Sequence, residues 1–154
     1  MLDVKTEFLF DLKADLDWAG VVDVGTTPHG TRSIVYVTGG TVKGPKVKGV
    51  VLPGGGDWPV ARPDGATVLD VRIAARTEDG HIIYTYYRGL STIRLDMLGR
   101  ILMGEAVDPS EYYFRTTPVF ETASEKYGWL NRVVAVGIGQ FLSAAVAYKV
   151  YAIL

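Results

Sequence analysis

Thr67-Val-Leu-Asp-Val-Arg-Ile-Ala-Ala-Arg-Thr-Glu-Asp-Gly-His-Ile-Ile-Tyr-Thr-Tyr-Tyr-Arg-Gly89 reads as two strands, Thr67–Thr77 and Ile82–Gly89, joined by a turn at Asp79-Gly80. Asp-Gly is a strong hairpin signal because both residues tolerate the positive φ angles of a tight turn. Alternate residues of a strand share a face. Leu69, Val71, Ile73 and Ala75 therefore fall on one side of the first strand, with Asp70, Arg72 and Ala74 on the other. In the second strand Tyr84, Tyr86 and Arg88 lie opposite Ile83, Thr85 and Tyr87. The two strands should pair directly, and the sheet grows outward from them.

Short alternating segments separated by glycine recur along the chain. Further strands are expected at Thr6–Leu16, Val21–Val24, Arg32–Lys43, Lys46–Leu52, Tyr112–Thr122, Trp129–Gly139 and Ala145–Ile153. Gly39-Gly40, Pro53-Gly-Gly-Gly56 and Pro63-Asp-Gly65 mark breaks between strands. Only Ile93–Met103 has a helical apolar face, at 93, 97, 98, 101 and 102, with Gly104 placed to end it. So many strands do not stay flat; they close or fold over. The expected fold is all-β: a closed antiparallel β-barrel, one domain over residues 1–154, with one short helix near 93–103.

Val133–Leu154 approaches membrane-spanning length, but Gly137, Gly139, Gln140, Ser143 and Lys149 interrupt it. Two adjacent strands explain it better, and no membrane partner is expected. The bend at Gln140–Ala144 is apolar for a hairpin tip. An exposed Phe141-Leu142 pair there would mark a contact surface.

Composition removes several functions. The net charge is −1, and the densest basic cluster, Lys43, Lys46 and Lys48, fits a solvated hairpin rim. Nucleic acid is therefore not an expected partner. The chain has no cysteine, so thiolate catalysis and zinc–thiolate sites are excluded, which suits a cytoplasmic protein. The residues from Met1 to Glu7 carry no apolar signal core. His29 and His81 are not at ligand spacing, and serine-triad and dinucleotide motifs are absent. No metal and no cofactor are expected.

The remaining chemistry is acid–base work by carboxylate and phenol, with arginine steadying negative charge. If the polar faces match in register, Asp70, Arg72, Tyr84, Tyr86 and Arg88 form one cluster. The alternative is a solvent-facing ion pair between Asp70 and Arg72. In Asp108-Pro-Ser-Glu-Tyr-Tyr-Phe-Arg-Thr-Thr-Pro118, Tyr113, Arg115 and Thr117 alternate with Tyr112, Phe114 and Thr116. Arg115 either grips an anion or plugs the barrel. Trp129 and Asn131 should share a face. Leu52-Pro-Gly-Gly-Gly-Asp-Trp58 reads as a loop that hangs Asp57 and Trp58 over a barrel mouth.

Thr38-Gly-Gly-Thr-Val42, Val51-Leu-Pro-Gly-Gly-Gly-Asp-Trp58, Arg62-Pro-Asp-Gly65, Asp70-Val-Arg72, Asp79-Gly80, Asp108–Thr117 and Trp129-Leu-Asn131, in this order, resemble the DUF3237 (UPF0311) family over nearly the whole chain. The resemblance implies a compact barrel similar to allene oxide cyclase or lipocalin barrels, assembled as a homo-oligomer. It implies family-type positions at Asp57, Trp58, Asp70, Arg72, Tyr84, Arg88, Tyr113, Phe114, Arg115, Trp129 and Asn131, without fixing their roles. Gln140–Ala145 departs from the more polar turn of similar proteins.

The expectation is a cofactor-independent lyase, isomerase or cyclase acting on a small aromatic or carbonyl-bearing substrate inside the barrel. Asp57 or Asp70 would move one proton and Tyr84 or Tyr113 another. Arg115, with Arg72 or Arg88, would stabilise an enolate or phenolate. Trp58, Tyr86, Phe114, Trp129 and Asn131 would shape the binding site. The alternative is a protein that binds an apolar acid or phenol without chemistry.

Overall fold

The computed structural model of the chain describes residues 2–154. Its strands are β1 (Thr6–Leu16), β2 (Val22–Thr27), β3 (Gly30–Lys43), β4 (Lys48–Val51), β5 (Gly56–Asp57), β6 (Val60–Ala61), β7 (Thr67–Thr77), β8 (Ile82–Ser91), β9 (Phe114–Glu121), β10 (Ala135–Phe141) and β11 (Ala145–Ile153). One helix, α1 (Leu95–Leu102), lies between β8 and β9.

The sheet closes on itself. Around the wall the order is β1, β11, β10, β9, β8, β7, then β4, β5 and β6 in turn, then β3, which pairs back onto β1. Counting β4–β6 as one interrupted strand gives an eight-stranded antiparallel barrel. β2 runs beside the first part of β3, along the edge that β1 occupies further on. The expected barrel and its hairpin from β7 to β8 are both present, with ten residue pairs from Thr67–Ser91 to Arg76–Ile82.

Closure pairs β3 back onto β1 and sends alternate residues inward. Leu69, Val71, Ile73 and Ala75 of β7 are buried, as are Leu12 and Ala14 of β1 and Tyr148 and Val150 of β11. One end of the barrel is packed solid. Phe10 meets Phe120 edge-on at 5.8 Å, and Leu130, 1% exposed, plugs the bottom. At the other end, α1 turns Met97 and Ile101 onto the core. Gly104 follows α1 at φ +94°, a left-handed angle that glycine adopts without strain.

Three local expectations are corrected. Gly128–Arg132 is a 3-10 turn rather than the start of a strand, so Trp129 and Asn131 share no strand face. The turn buries Leu130, and Asn131 brackets Thr122 by accepting from its N–H and donating to its carbonyl. Gly56–Asp57 belongs to the wall rather than an overhanging loop, pairing with both β3 and β7. Phe141 is no exposed tip. Its ring stacks on Phe114 at 4.5 Å, and its N–H donates to the Tyr112 hydroxyl. Among the described residues no helix is long and apolar enough to cross a membrane.

Candidate functional site

Beneath α1 the barrel holds a cavity of about 270 Å³. Its position follows from two breaks in the wall. The chain leaves β1 at Asp17–Val21 before β2 begins, and the wall is interrupted between β4, β5 and β6, where Asp57, Pro59 and Ala61 line the cavity. Val37, Leu69, Val71, Phe141 and Val146 supply apolar walls, and Ile93, Leu95 and Leu98 close the side nearest α1.

Among the described residues Asp57 is the only carboxylate that lines this cavity. Its backbone sits between Val35 of β3 and Val71 of β7, and Val71 in turn pairs with Tyr87 of β8. Val35, Asp57, Val71 and Tyr87 thus form one lateral row facing inward. Burial pushes the Asp57 carboxyl from its ordinary 3.8 up to about 7, because its charged form has lost water. The Asp70 N–H, which donates to Asp57 Oδ1 at 3.0 Å, opposes this rise, as does the Arg32 guanidinium. The nearby Asp70 carboxylate adds to it. Burial wins.

Two phenols complete the floor. Tyr87 and Tyr148 meet edge-to-face with ring centroids 5.3 Å apart. Burial raises both phenols, Tyr148 well above the ordinary range, and the Asp57 charge adds to each. They therefore remain O–H donors at any physiological pH. Tyr148 is held by Phe114, whose ring meets it edge-on at 5.4 Å. Phe114, 0% exposed, is a support behind the cavity rather than a lining residue. Gly139 makes room for it: a Cβ there would stand 2.6 Å from the Phe114 ring.

Trp18 lines the wall from the break between β1 and β2, and its buried Nε1–H has no hydrogen-bond partner. No other buried side-chain N or O among the described residues lacks one. Ser91 Oγ accepts from the Ile93 N–H, leaving its own hydrogen free. Among the described residues no lysine, arginine or histidine lines the cavity, and no acidic or histidine cluster is arranged to hold a metal.

The other residues singled out in the sequence lie elsewhere. The cluster on β7 and β8 forms in register, with Asp70 opposite Arg88, Arg72 opposite Tyr86 and Ala74 opposite Tyr84. It faces outward. Arg72 Nη1 donates to Asp70 Oδ1 at 3.2 Å with half its side chain in solvent, and the Tyr84 and Tyr86 rings are 6.1 Å apart. Arg115 lies over the exposed Tyr113 ring at 4.8 Å, and both border a shallow outer groove with Arg88 and Ile138. Trp58 alternates with Asp57 and covers Gly56, where a Cβ would touch its ring at 3.4 Å. Trp129 sits near the plugged end, under the Lys46 ammonium at 5.4 Å. Of the twelve expected site residues, only Asp57 reaches the cavity lining. Tyr87, Tyr148 and Trp18 were not among them, although a phenol on an otherwise apolar, inward strand face is a usable signal.

Residues 4–153 match the model of a family described as a protein of unknown function, DUF3237. The chain belongs to the DUF3237 family. Among relatives, a UPF0311 protein of Clostridium acetobutylicum is 40% identical over 124 residues, spanning 80% of this chain and 78% of that protein. A DUF3237-like barrel is also seen in the crystal structure of a conserved protein of unknown function from Rhodopseudomonas palustris. The two share 32% identity and a TM-score of 0.89, covering 100% of this chain and 99% of that one. The crystal structure of an enzyme from Penicillium herquei superposes with a TM-score of 0.72 at 25% identity, covering 100% of this chain and 97% of that one. The DUF3237 barrel is thus similar to at least one protein named as an enzyme.

Proposed function

We propose that the protein is a cofactor-independent lyase, isomerase or cyclase that moves protons on a small aromatic or carbonyl-bearing compound held in the barrel. One observation carries this reading. Asp57, poised near neutrality, shares an apolar cavity with two phenols that stay protonated. A general acid–base group works best when its pKa lies near the working pH. The likeness to the Penicillium herquei enzyme supports a catalytic role without naming a reaction.

In this mechanism the Asp57 carboxylate takes a proton from a carbon next to the substrate carbonyl. The C–H electron pair moves into the new C=C bond, and the carbonyl pair moves onto oxygen. Tyr148 or Tyr87 donates its O–H to that oxygen, where the negative charge develops. Asp57, now protonated, returns the proton to another carbon or to a departing group. Rigid strands hold all three side chains, so little reorganisation is needed.

A carrier without chemistry is the second reading, favoured by the predominantly apolar lining. The test is deuterium uptake from D2O into a panel of enolisable ketones and phenols, read by mass spectrometry with wild type and Asp57→Asn. Uptake with wild type alone supports proton transfer by Asp57. Saturable binding with no uptake in either supports the carrier.

A further inference from the structure

We infer that the cavity takes an uncharged, largely apolar molecule carrying one hydrogen-bond-acceptor oxygen, the class of cyclic and aromatic ketones, and rejects carboxylate or ammonium ligands of the same skeleton. The inference rests on the reading that the Asp57 cavity is the functional site. It reverses the expectation of an anion gripped by arginine.

The donors come first. The Tyr87 and Tyr148 hydroxyls, the Ser91 hydroxyl and the orphaned Trp18 N–H can all give a hydrogen bond to oxygen. The buried Trp18 N–H has no partner within the described residues, so a ligand oxygen that reaches it adds a hydrogen bond the chain itself does not make. Charge comes second. A buried anion needs a cation or a full set of donors, and among the described residues no cationic side chain lines this cavity. An anion would also face the Asp57 carboxylate across apolar surroundings, where like charges repel strongly. Arg115, Arg72 and Arg88 cannot help, since they stand on the outer face.

A cationic ligand fares little better. Facing Asp57 are Asp70 of β7, Arg32 of β3, Tyr87 of β8 and Tyr148 of β11, and both phenols present donors rather than acceptors. An ammonium would lose its water and find one carboxylate, itself partly protonated at neutral pH. The size of the cavity, just below the usual ~300–1,000 Å³ of ligand pockets, limits the ligand to a compact ring system.

The test uses the full chain and three probes of one skeleton: 1-tetralone, tetralin-1-carboxylate and 1-aminotetralin. Dissociation constants are measured at pH 7 by calorimetry. The expected result is that 1-tetralone binds at least about ten-fold more tightly than either charged probe, a difference of about 1.4 kcal/mol. A charged probe within ten-fold of the ketone, or no binding of the ketone, overturns the inference. Val37→Phe and Ala61→Trp, both filling the cavity, should abolish ketone binding; its survival in both folded variants overturns the assignment to this cavity. Deuterium uptake by the bound ketone is a separate readout. Ketone preference without uptake leaves the inference standing and removes the catalytic reading, while uptake without preference does the reverse.

Discussion

Replacing Asp57 with asparagine should stabilise the protein while abolishing proton transfer, and the gain should grow with pH. In the unfolded chain the carboxyl ionises near 3.8, and in the barrel near 7. The folded state therefore binds the proton more strongly, so stability is highest below the unfolded value and falls as pH rises from about 4 to 7. At about 1.4 kcal/mol per decade, the raised Asp57 pKa costs the fold about 2 kcal/mol at pH 5 and about 4 kcal/mol at pH 8, relative to acid pH. Asparagine keeps an oxygen to accept from the Asp70 N–H but carries no charge to desolvate. In a chain of 154 residues each kcal/mol moves Tm by roughly 2–4 °C. Urea denaturation of both proteins at pH 5 and pH 8 checks this. An equal gain at the two pH values, or a loss at pH 8, would refute the reasoning that burial of the charged form sets the Asp57 pKa.

Other expectations follow from the same geometry. Tyr148→Phe and Tyr87→Phe should each lower turnover of an enolisable ketone by about 10²–10³-fold with only about 1 kcal/mol change in stability, read by steady-state kinetics and denaturation. Trp18→Phe should leave Tm unchanged or raise it, since it removes an unpartnered N–H, while weakening ketone binding several-fold in calorimetry. Arg72→Ala should change stability by less than about 1 kcal/mol and leave activity unaffected, because its ion pair with Asp70 is on the outer wall. Gly139→Ala should cost about 1–3 kcal/mol in denaturation, because its Cβ would strike the Phe114 ring at 2.6 Å.

The fold was legible because strand alternation and turn chemistry agree along most of the chain. Thr6–Leu16, Thr67–Thr77 and Ala145–Ile153 have the bounds expected from their alternation, and the β7–β8 register follows from Asp79-Gly80. The site was less legible, because both faces of β8 carry tyrosine. Tyr84, Tyr86 and Arg88 look like a site as a group, yet a barrel wall places its richer polar face in water. Tyr87 is on the plainer face, with Ile83 and Thr85, and that is the face turned inward. Tyr148 is similarly masked between Val146 and Val150. Asp57 was recognisable as an acid after three glycines. Its inward direction depends on Gly56–Asp57 pairing with two strands, a long-range contact that local sequence does not encode. Phe141 could not be placed either, since its burial depends on the absent side chain of Gly139 and on Phe114 from another strand.

The most direct test of the account is the titration of the Asp57 carboxyl in the folded protein, followed by carbon-13 NMR and assigned with Asp57→Asn. A midpoint near 7 is the expected result and would place a working acid–base group in the barrel at neutral pH. A midpoint near the ordinary 3.8 would contradict it, leaving a carboxylate that is ionised throughout and a cavity without the chemistry proposed.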